Sequence, residues 1–301
     1  MTGSLSIPQI TVGSPSPEIE PTTTGEEYRS YPFRPDVVID GWSTATITIR
    51  GASQRGHLHR YNGAPRQDDF ATHALSDGRI IVAVADGVSA AKQSHIGATA
   101  AVNYAAGWLR THLAADVSQT DWVMLMKSTA YRLAEQAQSL FKLAAPDPVV
   151  AEEQLATTLV CAVIEPLEAG LMRAHLVGIG DSGAWLLSSN GFRALLGGKA
   201  ITNDGLTSSA VIGLPRVPSE LCLEVVDFGG SDVLLLGSDG IGDPLGSGQG
   251  GVGNLLRDLL TATRPPSLVE FAHALDFSRE NFDDDRTLVA VWPRNSEVML
   301  R

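Results

Sequence analysis

Short apolar runs, most of which follow one another with no helical segment between them, place the strongest limit on the fold of this chain. Runs of four to eight apolar residues bounded by turn signals are typical of buried strands. Parallel neighbours need a long crossover connection, so closely spaced strands predict a largely antiparallel sheet. Such strands are predicted at residues 44–50, 80–85, 157–164, 172–179, 184–187, 233–236 and 287–292.

Helical periodicity is confined to other parts of the chain. Residues 92–113 and 120–142 are predicted helices, and in the second Trp122, Leu125 and Leu133 recur near helical spacing. Shorter helices are predicted at residues 252–260 and 267–275. Segregated strands and helices predict an α+β fold, an antiparallel β-sandwich flanked by α-helices on both outer faces. Residues 188–225 have weak periodicity and predict a mobile flap and an edge strand.

The composition changes near residue 40. Residues 1–40 are rich in Ser, Thr, Pro and Glu, and such a segment buries too little apolar surface to offset its ordering entropy. We therefore predict a flexible N-terminal tail over residues 1–40 and one domain over residues 41–301.

The charge and the cysteines limit the class of function. The formal net charge is -12 with no local basic patch, so a nucleic-acid partner is not expected. No apolar stretch is long enough to span a membrane, and the N-terminus lacks the pattern of a signal peptide. Cys161 and Cys222 lie in apolar runs and form no CxxC pair. These features predict a cytoplasmic protein with no membrane partner.

Five acidic stretches, most of them just after a predicted strand, carry the functional signal. A single Asp-Gly pair is usually only a turn. Several carboxylates at one end of a sheet, however, would be costly to bury without cations. All-oxygen ligands favour Mg²⁺ or Mn²⁺ over zinc. The stretches are Gln67-Asp68-Asp69, Ala85-Asp86-Gly87, Gly180-Asp181-Ser182, Ser238-Asp239-Gly240 and Asp283-Asp284-Asp285.

The order and the residues of these motifs resemble those of the PP2C-type metal-dependent Ser/Thr protein phosphatases, especially their bacterial branch. The resemblance covers residues 45–293, and its two packed antiparallel sheets agree with the predicted architecture. Its six motifs are Arg66-Gln67-Asp68-Asp69-Phe70, Val84-Ala85-Asp86-Gly87-Val88, Ala156-Thr157-Thr158-Leu159, Gly178-Ile179-Gly180-Asp181-Ser182, Gly237-Ser238-Asp239-Gly240 and Asp284-Asp285-Arg286-Thr287.

The resemblance implies a role for each acidic position. Asp86 matches the carboxylate that bridges two metal ions, and the carbonyl of Gly87 matches a ligand of one of them. Asp239 and Asp284 match ligands of the other ion. Asp68 matches an acidic residue that holds a metal-bound water, and Asp181 matches a ligand of a third ion. We therefore expect two core ions of Mg²⁺ or Mn²⁺ and room for a third.

The implied reaction is hydrolysis of phosphoserine or phosphothreonine by a metal-activated water, with Asp86, Asp239 and Asp284 as the catalytic core. The chain departs from the family in two places. Val88 stands where many eukaryotic members have a His. The phosphate-binding Arg is not at its usual offset, which leaves Arg60 and Arg66 as candidates.

The expected partners are proteins phosphorylated by Ser/Thr kinases, and a monomer is expected. Two alternatives remain open. One is a catalytically weak relative that binds phosphoproteins, although the presence of Asp86, Asp239 and Asp284 disfavours it. The other is a two-metal nuclease or a hydrolase of small phosphoesters, and the net charge counts against nucleic acid. Neither cysteine lies in a phosphate-binding loop, which excludes a Cys-dependent tyrosine phosphatase.

Overall fold

Eleven strands form two antiparallel sheets in the described parts of the chain, which are residues 10–15, 35–197 and 212–294 of the computed structural model. The strands are β1 (Val37–Ser43), β2 (Ile47–Gln54), β3 (Asp69–Ala74), β4 (Ile80–Ala85), β5 (Leu159–Pro166), β6 (Met172–Ile179), β7 (Gly183–Ser188), β8 (Gly191–Leu196), β9 (Cys222–Phe228), β10 (Val233–Gly237) and β11 (Arg286–Pro293). One sheet has the order β1–β2–β11–β10–β7–β8, and the other has the order β3–β4–β5–β6–β9.

The two sheets pack face to face over a shared apolar core. The sequence of β4 shows how this core forms. Ile80, Val82 and Val84 point between the sheets, and Ile81 and Ala83 point toward the helices on the outer side. Because both faces of β4 are covered, the strand is apolar at every position. The predicted α+β sandwich is confirmed.

Helices cover the outer faces of both sheets. The described helices are α1 (His57–Asn62), α2 (Ser94–His112), α3 (Trp122–Phe141), α4 (Pro148–Leu155), α5 (Asp239–Leu245), α6 (Gly251–Leu260) and α7 (Leu268–Leu275). Helices α2, α3 and α4 share a core with the five-stranded sheet. Helices α5, α6 and α7 pack on the six-stranded sheet. None of these helices has the length and apolar character that crossing a membrane requires.

Local capping interactions fix where several helices begin. The side chain of Asp121 accepts a hydrogen bond from the backbone N–H of Met124 at the start of α3. Asp147 accepts from Val149 and Val150 at the start of α4. Such caps satisfy backbone donors that have no partner inside the helix.

The N-terminal residues make contacts that the predicted tail did not include. Val12 donates its backbone N–H to the carbonyl of Ser278, and Ser278 donates to Ile10. Strand β1 begins at Val37, before the predicted boundary at residue 40. Ile10 and Val12 pack against the core under α6 and α7, because a short apolar segment can dock even when its neighbours are polar. The division into residues 1–40 and 41–301 stays a prediction.

The predicted flap and edge strand between residues 188 and 225 correspond in part to β8 and β9, which lie at the edges of different sheets. Residues 198–211 of this stretch lie outside the described residues, so the flap stays a prediction.

Candidate metal centre

One end of the sandwich gathers the acidic residues that follow or precede strands. Asp69 pairs with Ala85 in register, and Gly237 pairs with both Gly183 and Leu288. The end of β4 therefore lies beside the start of β3, and the end of β10 lies beside the starts of β7 and β11. Loops at these strand ends surround a cavity of about 640 Å³, and its lining includes Asp86, Asp181, Asp239 and Asp284.

Hydrogen bonds to the neighbouring strand hold Asp86 in place. Its backbone N–H donates to Oγ1 of Thr158 at 2.9 Å. Its carbonyl accepts from the backbone N–H of Thr158 at 2.7 Å and from Oγ1 of Thr157 at 2.8 Å. The Ala156-Thr157-Thr158 motif therefore positions Asp86. Gly87 and Val88 also line the cavity, and the role of the Gly87 carbonyl as a metal ligand stays a prediction.

The loops that carry Asp239 and Asp284 are held against each other. Ser238 and Thr287 exchange two hydrogen bonds, with Ser238 N–H donating to the Thr287 carbonyl at 3.0 Å and Thr287 N–H donating to Ser238 Oγ at 3.1 Å. A side chain at Gly240 could not be accommodated, because its Cβ would lie 1.8 Å from the carbonyl oxygen of Asp285. Glycine therefore permits the close approach that brings Asp239 beside Asp284.

Asp68 lies behind the cavity and is 1% exposed. Burial and the charge of Asp285 raise the pKa of Asp68 to about 8, although hydrogen bonds with Ser238 and Thr287 act in the opposite direction. The electrostatic influence of Asp68 extends to Asp86. The structure thus places Asp68 next to the cavity but not in its lining.

The carboxylates crowd one another. Burial, followed by the charges of Asp68, Asp239 and Asp284, raises the pKa of Asp86 well above its usual range. Like charges this close cannot all ionise without compensation. A set of carboxylate oxygens with a clustered negative charge fits hard divalent cations such as Mg²⁺ and Mn²⁺, which prefer oxygen ligands.

Asp285 does not line the cavity but organises the segments around it. One of its oxygens accepts from the backbone N–H of Gly56 at 2.6 Å and lies 2.9 Å from Nδ1 of His59, and the other accepts from the N–H of Gln67. Burial raises the pKa of Asp285, but these hydrogen bonds and the charge of His59 outweigh it and give a net lowering. Asp285 therefore fixes the backbone around Asp68 and Asp284.

His59 lies beside Asp285 but belongs to none of the six sequence motifs. Burial lowers the pKa of His59, but the hydrogen bond and charge of Asp285 and the charge of Asp284 together raise it to about 9. Possible ligand atoms of His59, Asp284 and Asp285 lie within 4.8 Å of one another. The oxygens of Asp285 already accept two backbone hydrogen bonds and pair with His59, so we assign His59 to support of the site.

The two arginines considered for phosphate binding lie elsewhere. Arg66 is 2% exposed, and it donates to the carbonyl of Asp68 at 2.6 Å and to Oγ of Ser53. Arg60 donates to Asp276 at 3.1 Å. Neither lines the acidic cavity. Their residue type alone suggested phosphate binding, but the fold gives Arg66 a structural role beneath β3.

The cavity instead contains an arginine that the sequence did not indicate. Arg216 lines it, together with its ion-pair partner Glu152 on α4. Arg216 lies outside all six motifs, in a stretch with weak periodicity. No local pattern could have identified it.

The cysteines give no support for thiol chemistry at this site. Cys161 is buried in β5, and burial raises the pKa of its thiol to about 12. A thiol with so high a pKa is a poor nucleophile at neutral pH. Cys222 is exposed on β9, outside the lining of the cavity.

Several solved structures have a fold similar to that of this chain. The catalytic domain of the serine/threonine protein phosphatase PstP, in complex with two manganese ions, is 20% identical with a TM-score of 0.57, covering 83% of this chain and 99% of that chain. The Mycobacterium tuberculosis phosphatase PstP/Ppp is 20% identical with a TM-score of 0.53, covering 83% and 100%. RsbX in complex with magnesium is 13% identical with a TM-score of 0.54, covering 85% and 100%.

At these identities the structural likeness establishes the fold alone. No protein with curated annotation matches the sequence. The sequence profile of the family described as Protein phosphatase 2C matches residues 55–274. This match spans more than half of the 301 residues, and the chain therefore belongs to the Protein phosphatase 2C family.

Proposed function

We propose that this protein is a Mg²⁺- or Mn²⁺-dependent protein Ser/Thr phosphatase that hydrolyses phosphoserine and phosphothreonine. The observation that carries the proposal is the cavity at the end of the sandwich, where Asp86, Asp181, Asp239 and Asp284 share one lining. Membership of the Protein phosphatase 2C family gives this cluster a reaction. Magnesium and manganese accompany two of the structurally similar proteins.

We assign the following metal-binding and water-orienting roles to the acidic residues. Asp86 and the carbonyl of Gly87, with Asp239 and Asp284, would hold two core ions. Asp181 would hold a third, and Asp68 would orient a water from behind the cavity. When bound, the cations would lower the pKa of a water molecule and neutralise phosphoryl oxygens.

The protein itself supplies rigidity and burial. Thr157 and Thr158 fix the backbone of Asp86. Ser238 and Thr287 fix the approach of the Asp239 and Asp284 loops. Preorganised ligands lower the cost of ordering the site when substrate binds.

The biological role, the oligomeric state, the cellular location and the lack of nucleic-acid partners are also proposals, and each has less support than the reaction. The family resemblance supports a bacterial signalling role against Ser/Thr kinases, and a monomeric state stays an expectation. A cytoplasmic site of action is supported by two free cysteines. The absence of nucleic-acid partners rests on the net charge of -12.

Hydrolysis of a phosphothreonine peptide tests the proposal. We expect turnover with Mn²⁺, none with EDTA, and a loss of about 100-fold or more in kcat/KM for Asp239→Asn, because a core ligand is removed. Asp227→Asn is the matched control, since Asp227 pairs with Arg173 at the surface of β9, and it should retain full activity.

The alternatives give different outcomes. Binding of the phosphopeptide without turnover would support a non-catalytic phosphoprotein-binding module. Turnover of small phosphoesters with none of the peptide would support a small-phosphoester hydrolase. Equal turnover with and without EDTA would refute metal-dependent catalysis.

A further inference from the structure

The lining of the acidic cavity includes the basic side chain of Arg216. Among the described residues that surround it, the guanidinium of Arg216 is the sole positive charge. The carboxylates around it come from Asp86, Glu152, Glu153, Asp181, Asp239 and Asp284. A phosphate monoester entering such a cavity needs positive partners besides metal ions, and an Arg is the side chain best suited to bind phosphate with two parallel hydrogen bonds.

The backbone next to Arg216 is anchored to the metal centre. Leu214 and Thr157 exchange backbone hydrogen bonds of 2.8 and 3.1 Å, and the same Thr157 donates its hydroxyl to the carbonyl of Asp86. Arg216 N–H donates to the carbonyl of Gly213, which closes a turn. The root of the Arg216 side chain therefore has a fixed place beside Asp86.

The side chain itself is exposed and pairs with the carboxylate of Glu152. Arg216 Nε donates to Glu152 Oε2 at 2.7 Å, and Nη2 donates to Oε1, so the carboxylate occupies the same two-pronged face that a phosphate would use. The Arg216 side chain is 64% exposed. Exposed ion pairs of this kind contribute little to stability, so an incoming dianion can displace the carboxylate.

From this geometry we propose that Arg216 binds the phosphoryl group of the substrate and that Glu152 competes for the same guanidinium. Arg216 would replace the family's phosphate-binding arginine, since Arg60 and Arg66 are held by other groups. This inference rests on the proposed phosphatase function. Arg216 is a binding residue in this scheme, and Glu152 sets how readily it is released.

Opposite effects of two substitutions test the proposal. Arg216→Gln should raise KM for a small aryl phosphate about tenfold, and it should weaken inhibition by inorganic phosphate by a similar factor, because a charge-assisted contact is lost. Glu152→Gln should lower both constants, since it frees the guanidinium. If the Arg216–Glu152 ion pair only stabilised the fold, the two variants would change KM and phosphate inhibition in the same direction.

The surface pair Arg173–Asp227 provides a matched control. It has the same two-pronged geometry, with distances of 2.7 and 2.8 Å, and lies outside the cavity. Arg173→Gln should change neither constant, and a thermal melt should show all three variants folded. An Arg216→Gln effect no larger than that of Arg173→Gln, or one confined to phosphopeptides, would overturn the proposal.

Calorimetric titration of inorganic phosphate in the presence of Mn²⁺ separates this inference from the proposed function. Failure of the wild-type protein to hydrolyse any phosphoester would refute the function. Phosphate binding that is equal in wild type and Arg216→Gln would refute the role of Arg216 alone.

Discussion

Single residues next to the candidate metal centre fix the positions of its carboxylates. Asp285 ties its own segment to two others, since its side chain accepts from Gly56 at the start of α1 and from Gln67 before β3, and pairs with His59 within α1. It directly follows Asp284 in the chain. A shift of Asp285 would therefore displace a proposed metal ligand, and residues of this supporting kind commonly change metal affinity by a factor of ten or more.

His59 offers a test of this support. His59→Gln removes the positively charged partner of Asp285, and we expect Mn²⁺ affinity to fall by about tenfold. Titration calorimetry with Mn²⁺ measures the change directly, without relying on activity. His73→Gln on β3 serves as the control, because His73 lies outside this cluster. Unchanged Mn²⁺ affinity in His59→Gln would show that Asp285 keeps its position without the imidazole.

The local sequence does not reveal which arginine lies beside the acidic cavity. Arg66 stands two positions before Asp68, but its burial and its hydrogen bonds to Ser53 and to the Asp68 carbonyl depend on how β2 packs beside β3. Arg216 reaches the cavity through an isolated bridge between Leu214 and Thr157. Both facts depend on tertiary contacts between distant segments, which no local pattern encodes.

At the scale of elements, the contact of α2 with the end of α4 supports the site. A Cβ at Gly97 in α2 would lie 1.9 Å from the carbonyl oxygen of Leu155, the last residue of α4. The next residues, Ala156 to Thr158, hold Asp86. Close approach of α2 therefore helps to set the position of the motif that anchors the metal centre.

Two glycines in the same helix give a controlled comparison. Gly97→Ala should lower the free energy of unfolding by about 1–3 kcal/mol, because the methyl group forces the helices apart. Gly107→Ala has open space around its Cβ and should raise the free energy of unfolding by about 0.5–1 kcal/mol through helix propensity. Urea denaturation measures both changes. Equal effects of the two substitutions would mean that α2 does not depend on this contact.

Which elements could be predicted depended on how much of each was buried. Strands β4 and β6 were predicted with their observed bounds. A continuous apolar run marks β4, and β6 is mostly apolar although Arg173 and His175 interrupt it. Strand β1 was missed, since it is largely exposed and contains Asp40 and Gly41. Helix α4 was also missing from the predicted helices. Asp147 caps α4, and Pro148 occupies its first turn, where proline is tolerated.

At the scale of the whole molecule, the sandwich explains why motifs far apart in sequence could be grouped in advance. Antiparallel pairing places the end of one strand beside the start of the next, so Asp86, Asp181, Asp239 and Asp284 were expected at one end, and they share one cavity. Their metal-binding roles stay predictions. Which arginine can reach the phosphate depends on how the loops pack around the cavity. The sequence suggested Arg60 and Arg66, whereas the structure places Arg216 in the cavity lining.

The clustered carboxylates also make the stability of the metal-free protein depend on pH. The pKa of Asp68 is about 8 and that of His59 is about 9 in the folded protein. Both values lie above those of the unfolded chain, so the folded state holds protons that the unfolded state releases. The corresponding stability is complete below the unfolded values and is lost as pH rises through the folded ones. The raised pKa of Asp86 acts in the same direction.

We therefore expect the metal-free protein to lose stability between pH 6.5 and 8, by about 1.4 kcal/mol per pH unit for each such proton. The window begins at 6.5 because His57, whose pKa is lowered by burial, has little effect above that value. Thermal melts in EDTA across this range measure the slope. Saturating Mn²⁺ should flatten or reverse it, because cations bind the ionised carboxylates more tightly as pH rises.

Two variants assign this slope to the site. Asp68→Asn should reduce it, since the buried proton acceptor is gone. Asp227→Asn should leave it intact, because Arg173 lowers the pKa of Asp227 and its titration lies below the window. A metal-free protein whose melting temperature rises from pH 6.5 to 8 would contradict the charge crowding on which the metal centre is proposed. An equal slope with and without Mn²⁺ would place the titrating groups elsewhere in the molecule.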